Sequence, residues 1–145
     1  MRAWTFWPPE TLPDQLDVLW CFFPEKWQPE FPAKLPHPSL VQQTGFEEGK
    51  PMVRVSFGTS QLEGKKPPDH LIIRNVTDMN EAGLYRTTAF DLDKTRWLPW
   101  CREFFDQRSL EYSSPVVGRL SADMRHVLQI SIALRKSKAA IQDAT

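Results

Sequence analysis

The chain carries no net charge. Its 145 residues include 18 Lys and Arg residues and 18 Asp and Glu residues, so the formal net charge at pH 7 is zero. A domain that binds nucleic acid over a broad surface usually has a clear excess of basic residues. Any contact with RNA or DNA must therefore come from a local patch.

Cysteine is scarce as well. The chain has two, Cys21 and Cys101, and two cysteines make neither a disulfide framework nor a metal-ligand motif. Both lie among apolar and aromatic residues. We expect each thiol to be buried and unreactive, as a small hydrophobic side chain would be.

Long apolar runs are also absent. No stretch reaches the length of a transmembrane helix. The aromatic residues 1–9 lack the apolar segment of a signal peptide, because Pro8 and Pro9 interrupt them. We expect a cytoplasmic protein without a membrane partner. The length and the 41% hydrophobic content predict one domain with a real core over residues 1–145.

Short apolar strands separated by turns account for most of the chain. An irregular, proline-rich lead-in is predicted over residues 1–15. Polar turns are predicted at residues 44–51 and 78–83, and loops at residues 24–38 and 62–69. Between them the sequence predicts strands at residues 16–23, 39–43, 53–57, 70–73 and 84–92, and a brief strand or bend at residues 115–118.

One helix is predicted at the end of the chain, over residues 121–138. Ser121 can cap it, and four apolar side chains are predicted on its buried face: Met124, Val127, Leu128 and Leu134. Several short strands followed by a single helix predict a mainly β domain. We expect a small, strongly bent sheet or barrel with the helix packed at one side.

The chain is organised around the stretch Val53-Arg54-Val55-Ser56-Phe57-Gly58-Thr59-Ser60-Gln61. Its first half alternates apolar and polar residues, which is typical of a strand. At Gly58 a strand can bend or end, and two hydroxyls and an amide follow at once. This polar cluster predicts either a site mounted on a rigid strand or an ordinary turn.

A loop stiffened by prolines precedes this strand, over residues 24–38. It carries Trp27, Lys34 and His37. Long loops inside compact domains are usually functional or disordered. The mixed charges and the tryptophan predict a lid over a groove. Further on, Trp97, Trp100, Phe104 and Phe105 form an aromatic cluster that predicts core or a dimer surface.

The order and spacing of several segments resemble the MazF/PemK family, the growth inhibitors of toxin–antitoxin systems. Each motif is short, but together they span residues 16–134. The segments are Asp17-Val18-Leu19-Trp20-Cys21-Phe22-Phe23-Pro24, Pro36-His37-Pro38-Ser39-Leu40-Val41, Val55-Ser56-Phe57-Gly58-Thr59-Ser60-Gln61, Gly83-Leu84, Thr88-Ala89-Phe90-Asp91-Leu92 and Ser114-Pro115-Val116-Val117-Gly118-Arg119-Leu120.

The resemblance implies a small SH3-like β-barrel of the MazF/CcdB type with a C-terminal helix, usually as a homodimer. It implies a sequence-specific endoribonuclease, an mRNA interferase, that needs no metal or other cofactor and is neutralised by a cognate antitoxin protein. Its substrate is single-stranded RNA, cut by attack of the 2′-hydroxyl on the neighbouring phosphodiester. Such a reaction needs a base, an acid and donors to the phosphate oxygens.

The family's catalytic residues carry over only in part. The catalytic arginine of the family lies in an Arg-Pro-Ala-Leu-Val-like segment, and here His37 stands in its place. Histidine can exchange protons near neutral pH, but it lacks the permanent charge and two-pronged grip of arginine. The missing positive charge could come from Lys34, Arg54 or Arg86.

The family's hydroxyl position corresponds to Thr59, with Ser60 beside it. The family's acidic position matches either Asp91 or Asp93. We therefore expect catalysis to involve His37, Thr59 and Ser60. The expected RNA contacts are Trp27, Lys34, Arg54, Gln61, Arg86 and Asp91.

A second hypothesis is a non-catalytic interaction protein on the same barrel. CcdB-like toxins share this architecture and inhibit a protein target without cutting RNA, and a module that only binds RNA is a related alternative. This alternative rests on the missing arginine and the zero net charge, while the endoribonuclease remains our first hypothesis.

Overall fold

The computed structural model describes residues 3–106 and 114–144. Within these ranges the chain forms six strands and two α-helices, preceded by a 3₁₀ turn at Pro9–Thr11. No helix in the described ranges is long and apolar enough to cross a membrane. In chain order the elements are β1 (Asp17–Cys21), β2 (His37–Glu47), β3 (Lys50–Thr59), β4 (His70–Ile73), α1 (Val76–Ala82), β5 (Thr88–Pro99), β6 (Val116–Arg119) and α2 (Ala122–Ala144).

The six strands form one antiparallel sheet in the order β4-β5-β3-β2-β1-β6. In the part of the chain that the structure describes, the outer strands β4 and β6 do not pair with each other, so the hydrogen-bonded sheet is open. The prediction of a mainly β chain with a C-terminal helix is confirmed. The hydrogen bonds do not close that sheet into a barrel.

Each face of the sheet is covered by a separate core. The lead-in and the aromatic cluster pack on one face, where Trp7, Trp100, Phe104 and Phe105 are buried together. Helix α2 covers the other face with Met124 and Leu128. Val18 and Leu19, which are adjacent in β1, belong to different cores, so this strand is covered on both sides.

Both cysteines are buried, as predicted. Burial raises the pKa of the Cys101 thiol to about 12. Burial also raises the pKa of Cys21 well above its ordinary value. Neither sulfur is therefore a thiolate near neutral pH, and both act as core side chains.

Strand β3 does not end at Gly58 but continues to Thr59. Val53 and Val55 are fully buried, as their alternation predicts. The pairing with β5 changes at this glycine: Ser56 pairs with Thr95, whereas Gly58 pairs with Phe90. Residues 91–94 of β5 therefore lie opposite the single residue Phe57. We refer to residues 91–94 as the β5 bulge.

The residues predicted as a turn at 44–51 are mostly strand. β2 runs to Glu47 and β3 starts at Lys50, so only Glu48 and Gly49 form the turn. Both have positive φ, 49° and 79°, as a two-residue hairpin turn of type I′ requires. The prediction was wrong because polar residues of an exposed strand end were taken for a longer turn.

The residues predicted as a turn at 78–83 belong instead to helix α1. The side chain of Asn75 accepts hydrogen bonds from the backbone N–H groups of Thr77 and Asp78, and Gly83 ends the helix with φ 71°. The strand predicted from residue 84 consequently starts only at Thr88, and it runs beyond the predicted end to Pro99.

Helix α2 begins after Ser121, whose hydroxyl accepts the backbone N–H of Met124 at 3.1 Å. The predicted cap is confirmed. The predicted buried face is only half right, because Met124 and Leu128 are buried whereas Val127 and Leu134 are exposed. Ser131 takes the remaining buried position, since it lies on the same side of the helix as Met124 and Leu128.

Replacing Gly58 with alanine should destabilise the fold. An added Cβ would lie 2.4 Å from the backbone oxygen of Pro38 and 2.9 Å from the Phe90 ring. We expect a loss of about 1–3 kcal/mol in the free energy of unfolding, measured by chemical denaturation. The matched control is Gly45→Ala, whose Cβ meets nothing nearer than the Trp97 ring at 3.7 Å. Equal stability of the two variants would contradict this account of Gly58.

Candidate functional site

A cleft of about 1110 Å³ opens beside the junction of β2, β3 and β5. It brings together the end of β3, the start of β2 and the loops on either side. Charged, hydroxyl-bearing and aromatic side chains share its wall. The lining residues are Trp20, Lys26, Pro36, His37, Pro38, Phe57, Thr59, Ser60, Gln61, Leu62, Glu63, Lys65, Leu84, Tyr85, Arg86, Thr88, Asp91 and Lys94.

Six of the nine sequence-predicted site residues line this cleft: His37, Thr59, Ser60, Gln61, Arg86 and Asp91. The other three do not. Trp27 and Lys34 lie on the outside of the loop over residues 24–38, with 74% of Trp27 exposed. Arg54 points elsewhere and donates hydrogen bonds to Gln43 and Thr95.

The loop over residues 24–38 borders the cleft through Lys26, Pro36, His37 and Pro38. Two hydrogen bonds attach it to β5 and to the residue that follows β1. Ala33 N–H donates to the carbonyl of Phe22 at 3.1 Å, and Arg96 Nη2 donates to the carbonyl of Pro29 at 3.0 Å. The loop therefore forms part of a fixed wall.

His37 opens β2, where it pairs with Cys21 of β1. Its imidazole packs on Phe57 with ring centroids 4.7 Å apart. Within the described residues, neither ring nitrogen has a hydrogen-bond partner. Both nitrogens are thus available to a ligand in the cleft.

The pKa of His37 is lowered from the 6.5 of an unperturbed histidine. Burial is the largest cause, the positive charge of Lys94 adds to it, and Glu25 opposes it. At neutral pH the imidazole is therefore mainly uncharged, which is the form that accepts a proton.

Thr59 and Ser60 lie at the end of β3, next to the cleft. Thr59 Oγ1 accepts the backbone N–H of Gln61 at 3.1 Å. This contact uses an acceptor site of the hydroxyl and leaves its O–H to donate. A donating hydroxyl on a rigid strand can stabilise charge that develops on a phosphate oxygen.

The two aspartates of the β5 bulge have different surroundings. Asp91 lines the cleft, and its Oδ1 accepts the backbone N–H groups of Asp93 and Lys94 at 3.0 and 3.2 Å. Asp93 instead pairs with Arg135 of α2. The hydrogen bond from Arg135 lowers the pKa of Asp93. Of the two, only Asp91 faces the cleft.

Sequence reasoning missed Lys94, one of the cations that line the cleft. Its Nζ lies 3.9 Å from the centroid of the Phe57 ring and 5.7 Å from that of Phe23. Burial is the largest cause of its lowered pKa, and Lys26 and Lys65 lower it further. No local signal identifies Lys94, because it lies beyond the predicted end of its strand and is positioned by the β5 bulge.

Tyr85 is a second lining residue that sequence reasoning missed. It lies in the segment between α1 and β5, and 80% of its side chain is exposed. An aromatic ring so open to solvent at the edge of a cleft offers a flat apolar surface to a ligand.

The cleft has a local excess of positive charge. Among the described residues, four cationic side chains line it, Lys26, Lys65, Arg86 and Lys94, against the two carboxylates Glu63 and Asp91. The chain as a whole is neutral. This surplus is the kind of local patch to which any anionic ligand must bind. Over residues 3–106 and 114–144, no group of three His, Cys, Asp or Glu residues is arranged to hold a metal ion.

Compared with models of known protein families and with curated protein sequences, the chain matches none.

The lowered pKa of His37 can be measured directly. In ¹H–¹⁵N NMR titrations, the His37 ring should titrate below 6.5 in the folded chain and near 6.5 in urea. The unfolded chain then binds the proton more readily than the folded chain. The contribution of His37 to the free energy of unfolding should therefore be fully present above pH 6.5 and be lost as the pH falls through the lower pKa of the folded chain. A folded-state pKa at or above 6.5 would contradict the burial of the imidazole.

Proposed function

We propose that the chain is a MazF/PemK-like endoribonuclease toxin that cuts single-stranded RNA without a metal ion. One observation carries the proposal: the imidazole of His37, with no hydrogen bond to its ring nitrogens from the described residues, and the hydroxyls of Thr59 and Ser60 line one cleft with a surplus of cations. These are the groups that proton transfer and stabilisation of a charged phosphate require.

The proposal includes an SH3-like fold of the MazF/CcdB type. Register shifts interrupt the pairing of β1 with β6, of β2 with β3 and of β3 with β5. Such irregularities bend a sheet and increase its twist. A six-stranded antiparallel sheet bent at three places supports a partly open barrel.

In the proposed reaction, His37 accepts the proton of a ribose 2′-hydroxyl. The 2′-oxygen then attacks the adjacent phosphorus, and the bond from phosphorus to the 5′-oxygen breaks. The products are a 2′,3′-cyclic phosphate and a 5′-hydroxyl end, whose proton comes from solvent in the open cleft. Thr59 and Ser60 donate hydrogen bonds to the non-bridging oxygens as their charge grows.

A single-stranded substrate is supported by Tyr85, whose exposed ring lies at the edge of the cleft. Unpaired bases stack on aromatic side chains, whereas a duplex keeps its bases stacked inside. Gln61 and Arg86 lie on the same wall. Their donors can contact the edges of unpaired bases and the backbone.

The test is cleavage of a mixed-sequence RNA in the presence of a chelator. We expect discrete cuts with 5′-hydroxyl ends in the wild type. His37→Ala should cut about 10²–10⁴-fold more slowly, the range for loss of a general base. His126→Ala is the matched control, since His126 lies exposed on α2 away from the cleft and should leave the rate unchanged.

A second substrate tests the chemistry itself. RNA with a single 2′-deoxy nucleotide before the cut should resist cleavage at that bond, because the nucleophile is missing. Full activity of His37→Ala, or cleavage that survives the 2′-deoxy substitution, would overturn the proposed reaction.

A second candidate is the non-catalytic interaction protein. One observation favours a protein partner: α2 exposes Val127, Ile130, Leu134 and Ile141 along one stripe of its surface. In the toxin proposal, a cognate antitoxin or a second copy of the chain would cover this stripe. A protein partner recovered with micromolar chain that degrades no RNA would favour the second candidate over the first.

A further inference from the structure

The β5 bulge is a fixed structure, because three of its residues are attached to their surroundings. Asp91 closes it by accepting two backbone N–H groups of the bulge. Leu92 N–H donates to the carbonyl of Asp69 at 3.1 Å. Asp93 pairs with Arg135 of α2, which also binds the carboxylate of Asp69 at 2.7 Å. These contacts fix the backbone from which the Lys94 side chain extends.

The ammonium group of Lys94 has an aromatic partner but no anionic one. It lies over the face of the Phe57 ring. Within the described residues, no carboxylate lies within ion-pair distance of it. Glu25 and Asp91 act on it only at longer range, against the like charges of Lys26 and Lys65. The positive charge of this ammonium is therefore only partly balanced by the described residues, and an anion that entered the cleft would balance it.

The side chains of Lys94 and His37 both contact the Phe57 ring. The Phe57 ring carries the ammonium at 3.9 Å and packs against the imidazole at a centroid distance of 4.7 Å. Lys94 is also close enough to His37 for its charge to lower the pKa of the imidazole, so an anion held by the ammonium would lie in the part of the cleft that His37 lines. Of the cations considered from the sequence, Lys34 and Arg54 do not line the cleft at all.

We infer that Lys94, held on the Phe57 ring by the β5 bulge, is a preformed anion subsite that binds a backbone phosphate of a nucleic-acid strand beside His37. The inference deepens the proposed function and rests on it for the identity of the anion. It assigns to a lysine of the bulge the positive charge that the family resemblance leaves missing at His37.

The test separates binding from cleavage. The probe is a mixed-sequence 2′-O-methyl RNA, which carries phosphates but has no free 2′-hydroxyl and cannot react. Its affinity is measured as a function of salt concentration for the wild type, Lys94→Met, Lys94→Gln and Lys94→Arg. The control is Lys50→Met, because Lys50 also lies over an aromatic ring, that of Phe6 at 5.5 Å, but does not line the cleft.

Both neutral variants should bind the probe about tenfold more weakly at low salt. The slope of log K against log salt should shrink by about 0.7, the value for one lost phosphate contact to a single strand. Lys94→Arg should keep most of the affinity and the slope, and Lys50→Met should match the wild type. Thermal unfolding of all four variants identifies any that fail to fold.

The outcomes distinguish the two proposals. If the slope of log K against log salt depends on Lys94 but the wild type cuts no RNA, the anion subsite is supported and the nuclease proposal is overturned. If the wild type cuts RNA, but folded Lys94→Met and Lys94→Gln bind the probe with the same affinity and salt slope as the wild type, the nuclease proposal stands and the anion subsite is overturned. The subsite is also overturned if the wild type does not bind the probe, or if Lys94→Arg loses as much affinity as the neutral variants.

Discussion

The cleft depends on one constraint in the sheet: four residues of β5 lie opposite one residue of β3. The two strands pair regularly on both sides of this point, so the surplus residues of β5 do not form regular pairs with β3. Gly58 allows the strands and the Phe90 ring to approach closely there. The surplus residues include Asp91 and Lys94, whose side chains line the cleft.

The same constraint connects the cleft to the rest of the molecule. The bulge is braced by Arg135 of α2 and by the segment before β4 through Asp69. Phe57, opposite the bulge, contacts Phe23, His37 and Lys94. The Phe57 side chain, two residues before the end of β3, thus contacts both the imidazole of His37 and the ammonium of Lys94. Arg135 of α2 helps to hold Lys94 in place through its pairing with Asp93 of the β5 bulge.

Sequence patterns predicted those parts of the fold in which local signals agree with the tertiary structure. β4 was predicted at its observed bounds, and the alternation of Val53 and Val55 identified the core face of β3. The cap at Ser121 was also readable. The polar residues after Gly58 and the imidazole after the proline-rich loop were recognised as candidates, and both line the cleft.

The bulge in β5, helix α1 and the complete buried face of α2 were not predicted from sequence patterns. The bulge breaks the alternation of β5, so the strand seemed to end near Leu92 and Lys94 had no place in a pattern. The caps of α1, Asn75 and Gly83, were present in the sequence, but Gly83 was interpreted as the end of a turn and Asn75 was given no role. Which flank of α2 is buried depends on contacts with the sheet, and periodicity alone does not decide between Leu134 and Ser131.

The most direct measurement of the central claim is a crystal structure of the chain bound to a 2′-O-methyl RNA. The account predicts a phosphate oxygen about 3 Å from Lys94 Nζ, with the ribose 2′-oxygen beside that phosphate turned towards the His37 ring. A strand bound on another surface, or one that enters the cleft with its phosphates away from Lys94 and His37, would contradict it.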